Sequence, residues 1–554
     1  MRWFTVLLVA MWGTITAQDL SHINLTKPDV YLDGNISGGI RSFSSSRALA
    51  YRNSDFGYLA SARLTLHVHG LSLPFSYRVG DQLSLPNLPS FKYWGLSPKY
   101  KSVQLHIGHR SLRFSDHTLA GIQTYGLGAT VKTRKLSIQF SRGTLDQQRP
   151  ERVVYNSVVQ ARKEKKYTAA SVRIGSSKNH IHYAVLSSRE QEYDRDTTPV
   201  RYNLVNELAA KKQLGSMFFI ATNVAVSYTD EEIDDFFELD NSVSSLAVNS
   251  AELLGVNAGT SSKVGLLYGG SVGINGKKVA LSLDFDHVDR TFETFGRTFQ
   301  ITDVRTYTIK NRLQLFGSNL LVNSRVGLQQ NNLNDDKASN STRWITNFNV
   351  VTRSTEGHTV SANISNFNLE KENLYVVGQD SFSFSFNALT VGVSPQFVIG
   401  ESRLVGNFIF TRNSNEREDA EVSQDQQLLL GTVMYEVPVS GKNVVLQLGA
   451  NYSKLTADAI SEKLIGFTVG TQFLWNDKLR LDIRYNPNRN STEQEDSYLT
   501  RVAQLQGNYA FSKNQNVFVS AYYQNVGGLN AIRENQIRLG YKLKFTSRKN
   551  ISSN

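Results

Sequence analysis

Ile465-Gly-Phe-Thr-Val-Gly-Thr-Gln-Phe-Leu-Trp475, then Asn476-Asp-Lys478, then Leu479-Arg-Leu-Asp-Ile-Arg-Tyr485 is the stretch that decides the fold. Ile465, Phe467, Val469, Thr471, Phe473 and Trp475 share one face, and Leu479, Leu481, Ile483 and Tyr485 continue it after the turn. Gly466, Thr468, Gly470 and Gln472, then Arg480, Asp482 and Arg484, form the other face, with Leu474 the exception. Side chains alternate across a strand with period two, so this hairpin has one apolar and one polar face. The same texture recurs along nearly the whole chain.

Working outward, Asn275-Gly276 is the dipeptide of a type I′ hairpin between Tyr268–Ile274 and Val279–Phe285. Ser440 to Asn443 and Ser512 to Asn516 divide further alternating runs, and tight turns fall near Gly70, Arg134, Lys178, Lys212, Gly317, Glu356 and Glu401. Longer polar connections lie between them, at Thr144–Lys166, Asp230–Gly259, Arg412–Asp425 and Pro487–Ser497. Tight turns alternating with long loops are the asymmetry of a bacterial outer-membrane barrel. A first strand at Val30–Arg41 and a last at Asn535–Phe545 bracket roughly twenty-four strands, within a range of about 22–26. The expected fold is all-β, a transmembrane antiparallel up-and-down barrel over residues 29–545 with a polar tail at 546–554. Trp475, Tyr485, Tyr509, Tyr541 and Phe545 stand near strand ends, where interfacial aromatics belong.

The N-terminus reads as a signal peptide over residues 1–17. Arg2 supplies the charge, Trp3–Trp12 the apolar run, and Thr14-Ile-Thr-Ala17 the small-residue cleavage site. That run is shorter than the ~20 residues of a membrane helix. Residues 18–28 then form a short periplasmic segment. The chain has no cysteine, which excludes disulfides and thiolate metal sites. A hydrophobic content of 40% with negative mean hydropathy suits a barrel, because lumen residues dilute the lipid face. The formal charge of +12 suggests an anion-attracting lumen. No nucleic-acid motif accompanies it, and no nucleic-acid partner is expected.

Asp81–His117 breaks the pattern. Pro86, Pro89 and Pro98 oppose ladder pairing, and Lys92, Lys99, Lys101, His106, His109, Arg110 and Arg113 make the stretch basic. It is expected to fold as an irregular insert in or over the lumen and to act as a constriction; the alternative is a pair of irregular extra strands with a long loop. The same region carries a resemblance, through Leu71-Ser-Leu-Pro-Phe-Ser76, Gly95-Leu-Ser-Pro-Lys-Tyr-Lys101, Gly108-His-Arg-Ser-Leu-Arg-Phe-Ser115 and Leu119-Ala-Gly121. These residues resemble a group of uncharacterised outer-membrane barrel proteins of the Bacteroidetes, in which Gln after the cleavage site is also common. The resemblance implies location and fold and brings no catalytic residues.

Chemistry-bearing motifs are sparse. His67/His69 and His180/His182 share faces pairwise, but no carboxylate stands at metal-ligand spacing, so no metal or cofactor is expected. Gly270–Lys278 has the wrong spacing for a phosphate loop, and Asp284 and Asp286 alternate with apolar residues as lumen positions do. No Ser–His constellation is visible on the lipid face, and no enzyme is expected. The acidic run at Asp230–Asp240 lacks calcium-loop spacing and reads as a solvated surface.

The function expected is passive passage of small solutes, with an anion preference. Arg63, His67, Arg480, Asp482, Arg484, Arg538, Lys542 and Lys544 are the pore-lining candidates. The alternative is a scaffold or conduit in an envelope secretion, assembly or surface-export complex, because a barrel this wide would leak if unfilled. Expected partners are outer-membrane lipid and lipopolysaccharide, the barrel-assembly machinery, and, in the alternative, an envelope protein.

Overall fold

The computed structural model describes residues 30–46, 56–80, 91–146, 152–154, 157–159, 164–191, 200–231, 262–297, 300–333, 339–373, 383–417, 424–439, 443–457, 460–476, 478–492, 497–528 and 531–546. The expected signal peptide and periplasmic segment, the expected C-terminal tail beyond Thr546, most of the acidic run, and Pro86 and Pro89 lie outside the described residues.

The described strands are, in order, β1 (Val30–Ser45), β2 (Phe56–Val68), β3 (Leu71–Gly80), β4 (Phe91–Leu96), β5 (Lys99–Tyr100), β6 (Val103–Arg113), β7 (Ala120–Lys132) and β8 (Leu136–Asp146). A small hairpin follows, β9 (Arg152–Val154) and β10 (Ser157–Val159). The wall resumes with β11 (Lys165–Gly175), β12 (His180–Glu190), β13 (Arg201–Leu214), β14 (Phe218–Glu231), β15 (Lys263–Asn275) and β16 (Val279–Val288). Next come β17 (Val304–Leu315), β18 (Leu320–Asn331), β19 (Ser339–Arg353), β20 (Thr359–Asn373), β21 (Ser383–Ile399) and β22 (Ser402–Arg417). The last are β23 (Gln424–Val439), β24 (Val444–Ala457), β25 (Ile460–Trp475), β26 (Leu479–Thr492), β27 (Tyr498–Ser512), β28 (Gln515–Val526) and β29 (Ile532–Thr546).

All but β9 and β10 belong to one sheet of 27 strands. Strands β4 and β5, split at Ser97-Pro98, both pair with β3 and β6 and so share one position. The wall therefore has 26 positions. Each strand lies antiparallel to its neighbours in the chain, β8 passes directly to β11, and β29 pairs with β1 from Asp33↔Thr546 to Ser45↔Glu534. The chain is a closed antiparallel barrel. Its strand number sits at the top of the expected range for one reason: residues 91–113, read from sequence first as a lumenal insert and in the alternative as irregular strands, are wall. That stretch adds the β4/β5 position and β6, and only residues 114–119 after it turn inward.

Register assigns the faces. Phe473 stands opposite Leu481, Gln472 opposite Asp482 and Gly470 opposite Arg484, so the two faces of the quoted hairpin continue across the turn. Large apolar side chains of the first face lie open, with Ile465 52% and Phe467 55% exposed. The same holds around the wall, for Ile36 and Ile40, Leu127, Ile174, Leu208, Ile220, Val272, Ile309, Leu448 and Leu539. Exposure on this scale would be an aggregation hazard in water and is what a lipid belt requires.

Turns sort by length. His69-Gly70, Lys101-Ser102, Gly400-Glu401 and Lys513-Asn514 close hairpins at one rim, which also holds Val30 and Thr546. Positive φ at His69, Gly70, Lys101 and Gly400 tightens these reversals. The Asn275-Gly276 turn differs from expectation: neither residue has positive φ, and the reversal uses Gly276–Lys278 with Gly276 N–H donating to Val279 O.

Three prolines sit at interruptions of the ladder. Pro487, expected in a loop, lies inside β26, where the β25–β26 register skips from Gly466↔Asn488 to Val469↔Tyr485. Pro395 marks the skip between Val393↔Phe408 and Gln396↔Val405. Pro74 faces the β4/β5 break and accepts Ser97 N–H at 2.8 Å. A residue without an N–H is tolerated where no ladder bond is made.

Mid-strand in β29, Leu539 faces lipid between Val519 and Ile40, while Arg538 faces the lumen beside Arg41. Leu539→Arg is expected to cost about 2–4 kcal/mol and to block assembly, whereas Arg538→Leu leaves assembly intact. The heat-modifiable, fast-migrating band on unboiled gels measures this; equal yields of both variants would overturn the face assignment.

Candidate functional site

Two connections at the long-loop rim fold back into the barrel. The first is Phe114–Leu119, between β6 and β7; the second is Asp289–Arg297, which follows β16. They meet each other inside. Ala120 N–H donates to Gly296 O at 3.0 Å, and Thr294 Oγ1 donates to Thr118 O at 3.3 Å. Together they form a strap across one sector of the lumen.

The strap is held by an apolar core where a water-filled barrel would have none. Phe114, Leu119, Phe292 and Phe295 are buried against inward-facing Leu145, Tyr167, Ala169, Ala184, Leu186, Val205, Ala225, Leu267, Val288 and Val304. Each fully buried large apolar side chain contributes up to about 1.5–3 kcal/mol. Small residues on the wall and in the strap allow the approach. A Cβ on Gly265 would stand 2.2 Å from the Phe292 backbone nitrogen, and one on Gly296 1.9 Å from Thr118 O.

Polar contacts fix the register. The buried Glu207 carboxylate, on β13, accepts Ser115 Oγ–H at 2.5 Å and His117 N–H at 3.2 Å. Ser115 Oγ in turn accepts Thr118 N–H at 2.9 Å and closes the loop on itself. For the second connection, Asn203 Oδ1 accepts Phe295 N–H at 3.1 Å and Asn203 Nδ2 donates to Glu293 O at 2.9 Å. Ser227 Oγ accepts Glu293 N–H at 3.0 Å, and Arg201 pairs with the Glu293 carboxylate. The Phe295 ring lies under Lys165 at 4.1 Å and Arg201 at 5.0 Å, both in cation–π range.

Beneath the strap is a cavity of about 1180 Å³. Its wall carries Arg173, His180, His182 and Lys211 from β11–β13, then the small or neutral Ala221, Asn223, Gly270 and Ser271, then Asp284 and Asp286 from β16. Lys310 and Arg325 follow, with Lys310 Nζ 3.3 Å from Asp284 Oδ2. A basic sector thus faces the cavity a few strands away from a mixed acidic sector. The His180/His182 pair belongs to the basic sector, and among the described residues no three His, Cys, Asp or Glu side chains come together as a metal cluster. From the strap, His117 accepts Asn223 Nδ2–H at 3.1 Å through Nε2. Burial pushes its imidazole down to about 4, against the opposing pull of Asp116.

The pore-lining candidates fall on the inward face. Arg484 donates to Gln447 at 3.1 Å and pairs with Asp482 at 2.9 Å, and Gln447 donates to Glu436 at 3.0 Å. Arg480 lies one turn of the alternation below Asp482. Arg538, Lys542 and Lys544 line β29 opposite Arg41, Ser37 and Asn35 of β1, and Arg63 stands opposite Asn35 from β2. His67 is fixed between Asp33 (Nε2–Oδ1 2.8 Å) and Ser72 (Nδ1–Oγ 3.1 Å) and stacks on Tyr31 at 4.2 Å. The order of ring nitrogens is the reverse of a serine-hydrolase triad, and the strands around Ser72 are paired in the ladder, so the trio tethers the β2–β3 turn.

The constriction candidates are scattered instead of gathered. Lys92 is exposed near the long-loop end of β4, and Lys99 and Lys101 flank the β5–β6 turn at the opposite rim. His106 is held in the wall by Ser97 and Thr130, and His109 packs with Tyr93 and Tyr125. Arg110 reaches Ser76. Arg113 alone of the set borders the cavity, paired with Asp116. The seat of the strap was legible only as a local anomaly: in β12 the middle of the strand, Tyr183-Ala-Val-Leu186, is apolar on both faces.

No family model matches the chain, and no curated protein matches it. Among solved structures it is similar to the translocation pore of the P pilus usher PapC, at 11% identity and TM-score 0.41, covering 93% of this chain and 100% of that one. It is similar also to a mutant of the ferric enterobactin receptor PfeA of Pseudomonas aeruginosa, at 9% identity and TM-score 0.37, covering 93% and 80%. A third is OccAB4 of Acinetobacter baumannii, at 14% identity and TM-score 0.25, covering 70% and 99%.

Glu207→Ala removes a buried acceptor of charged hydrogen bonds, each worth about 1.5–3 kcal/mol, and Gly296→Val drives a side chain into Thr118 O. Both are expected to leave a heat-modifiable barrel with an undocked strap, read as faster tryptic cleavage at Arg297 and larger single-channel conductance. Acid should act in the same direction. His117 is neutral when docked, so its contribution is complete above its ordinary value of about 6.5 and is lost as pH falls through about 4. Conductance is therefore expected to rise between those limits, and His117→Gln to flatten the rise.

Proposed function

We propose that the chain is an outer-membrane channel for hydrophilic solutes, biased towards anions, with its open cross-section set by the strap. The observation that carries this reading is the contrast between the two faces of the wall opposite the strap. Outward lie Ile36, Ile40, Ile537, Leu539 and Tyr541, all exposed; inward lie Arg41, Arg63, Arg538, Lys542 and Lys544. An apolar belt outside supports residence in a bilayer, and fixed positive charge inside raises the local concentration of anions. The signal-peptide reading of residues 1–17 and the sorting of tight turns to one rim support an outer-membrane location with the strap near the cell exterior.

Width favours a second reading. Porins of 16–18 strands already leave an aqueous channel, and here 26 positions enclose a lumen whose strap leans on β8 and β11–β17. Such a barrel also suits a scaffold or conduit whose remaining lumen is filled by an envelope protein. The purified chain alone in planar bilayers separates the two: steady, anion-preferring conductance supports the channel, and a large unselective leak that a co-purifying protein closes supports the conduit. If the channel reading holds, exchanging Arg538, Lys542 and Lys544 for glutamine moves the reversal potential in a salt gradient towards zero with little change in conductance. A deletion of residues 81–117 abolishes assembly, since it removes two wall positions; wild-type amounts of a barrel lacking them would contradict the proposal's geometry.

A further inference from the structure

The ladder between β4 and β6 contains only two register pairs, Gly95↔Gly108 and Leu96↔Ile107. Beyond them, residues 91–94 pair with β3 and residues 109–111 pair with β7, and neither set pairs with the other. The cause is local. Gly108 has φ +85°, and a Cβ on it would lie 2.6 Å from Trp94 O, so the chain turns aside there. His109 Nδ1 lies 3.4 Å from Trp94 N and 3.3 Å from Trp94 O, an imidazole standing where a ladder pair would run. The barrel is closed here by side chains.

Its depth follows from the distance to the nearest turn. Trp94 stands seven residues from Lys101 in the β5–β6 turn. At about 3.3 Å per residue and roughly 40° of tilt this is ~18 Å above the tight-turn rim, within an apolar band ~25 Å tall. The seam therefore opens into the half of the bilayer nearer the long loops. Backbone groups without ladder partners cost several kcal/mol each in lipid, so a seam at this depth calls for a reason.

The two sides of the seam differ in chemistry. Outward are Trp94, Tyr125 and Leu127, the last 63% exposed. Inward is Arg110, which crosses above Gly95 to donate Nη1–H to Ser76 Oγ at 2.9 Å. Its Nε and Nη2 are buried with no hydrogen-bond partner among the described residues. A guanidinium with two buried unmet N–H groups is matched by the planar oxygens of a carboxylate or phosphate. We propose that the β4–β6 seam is a lateral portal at which a single-tailed amphiphile with an anionic head binds, head on Arg110 and tail along Trp94, Tyr125 and Leu127 in the bilayer.

The experiment uses protein in liposomes, with its tryptophans other than Trp94 replaced by phenylalanine. Dodecanoic acid brominated on its tail is the probe, and dodecanol brominated in the same way is the neutral control. Saturable quenching of Trp94 by the acid is expected, with much weaker quenching by the alcohol. Arg110→Gln is expected to raise the half-saturating concentration about tenfold, the size of one lost charged hydrogen bond. The cysteine-free chain allows a lock, Lys92→Cys with Ser111→Cys, whose oxidation should abolish the saturable phase and whose reduction should restore it. Ala62→Cys with Tyr77→Cys, on the intact β2–β3 ladder, should have no effect. The heat-modifiable band on unboiled gels checks that every variant remains an assembled barrel, so the outcome is independent of the channel reading. Quenching that is linear, equal for acid and alcohol, or unchanged in Arg110→Gln would mean ordinary lipid contact and would overturn the portal. A brominated dodecyl phosphate run in parallel distinguishes a phosphate head from a carboxylate.

Discussion

Every backbone N–H and C=O that crosses a hydrocarbon layer must be satisfied within the protein, and the rest of this structure depends on that constraint. It forces β29 back onto β1 and leaves the sheet without an edge. It also decides where irregular residues can stand. Pro395 and Pro487 occupy positions where the neighbouring ladder skips a pair, so their missing N–H groups cost nothing further. The β4/β5 break behaves the same way: Ser97 gives its N–H to Pro74 O, and Leu105 gives its own to Pro98 O, so the discontinuity is bonded on both sides.

Closure alone would produce a hollow cylinder with a wet interior. Here one sector is filled by a second core of opposite logic, in which Phe292 and Phe295 meet Leu186, Val205 and Leu267 on the face that elsewhere carries arginine, lysine and asparagine. Two apolar surfaces, one facing lipid and one facing the strap, make β11–β15 the most buried part of the wall. The cost of this packing appears in the small residues it needs. Ala169, Ala184, Ala225 and Gly265 stand where a larger side chain would push the strap away. Glu207 then converts hydrophobic docking, which is tolerant of sliding, into a defined register through Ser115 and the His117 amide.

What was legible in the sequence follows from range. Period-two alternation is a property of adjacent residues, so the faces of Ile465–Tyr485 and of β29 could be read directly, and with them the barrel and the inward placement of Arg480, Asp482, Arg538 and Lys542. Strand ends were less legible. Pro487 and Arg412 were read as loop residues, but their strands extend past them because pairing with both neighbours outweighs local composition. The strap was not legible at all as a strap. Phe114-Ser-Asp-His-Thr-Leu119 is short and mixed in character, and only contact with Glu207, some ninety residues later, gives it a place. The prolines and basic residues of 81–117 suggested an insert for a sound local reason. Of these, Pro98 and the basic residues from Lys92 to Arg113 stand in the wall, which splits one position into β4 and β5 there.

The seam and the strap are linked through one strand. β6 begins at the tight-turn rim beside β5, loses its partner on the β4 side after Gly108, and ends at Arg113, where the strap starts. Its upper half is therefore secured by β7 on one flank and, at its end, by Phe114 and Ser115 seated in the lumenal core. Remove the seat and residues 109–113 would have a ladder on one side only, with Arg110 tied across by a single bond to Ser76. The apolar core inside the lumen thus does for β6 what a neighbouring strand does elsewhere. The wall can dispense with ladder pairs at 91–94 and 109–111 because the strap holds the strand from within.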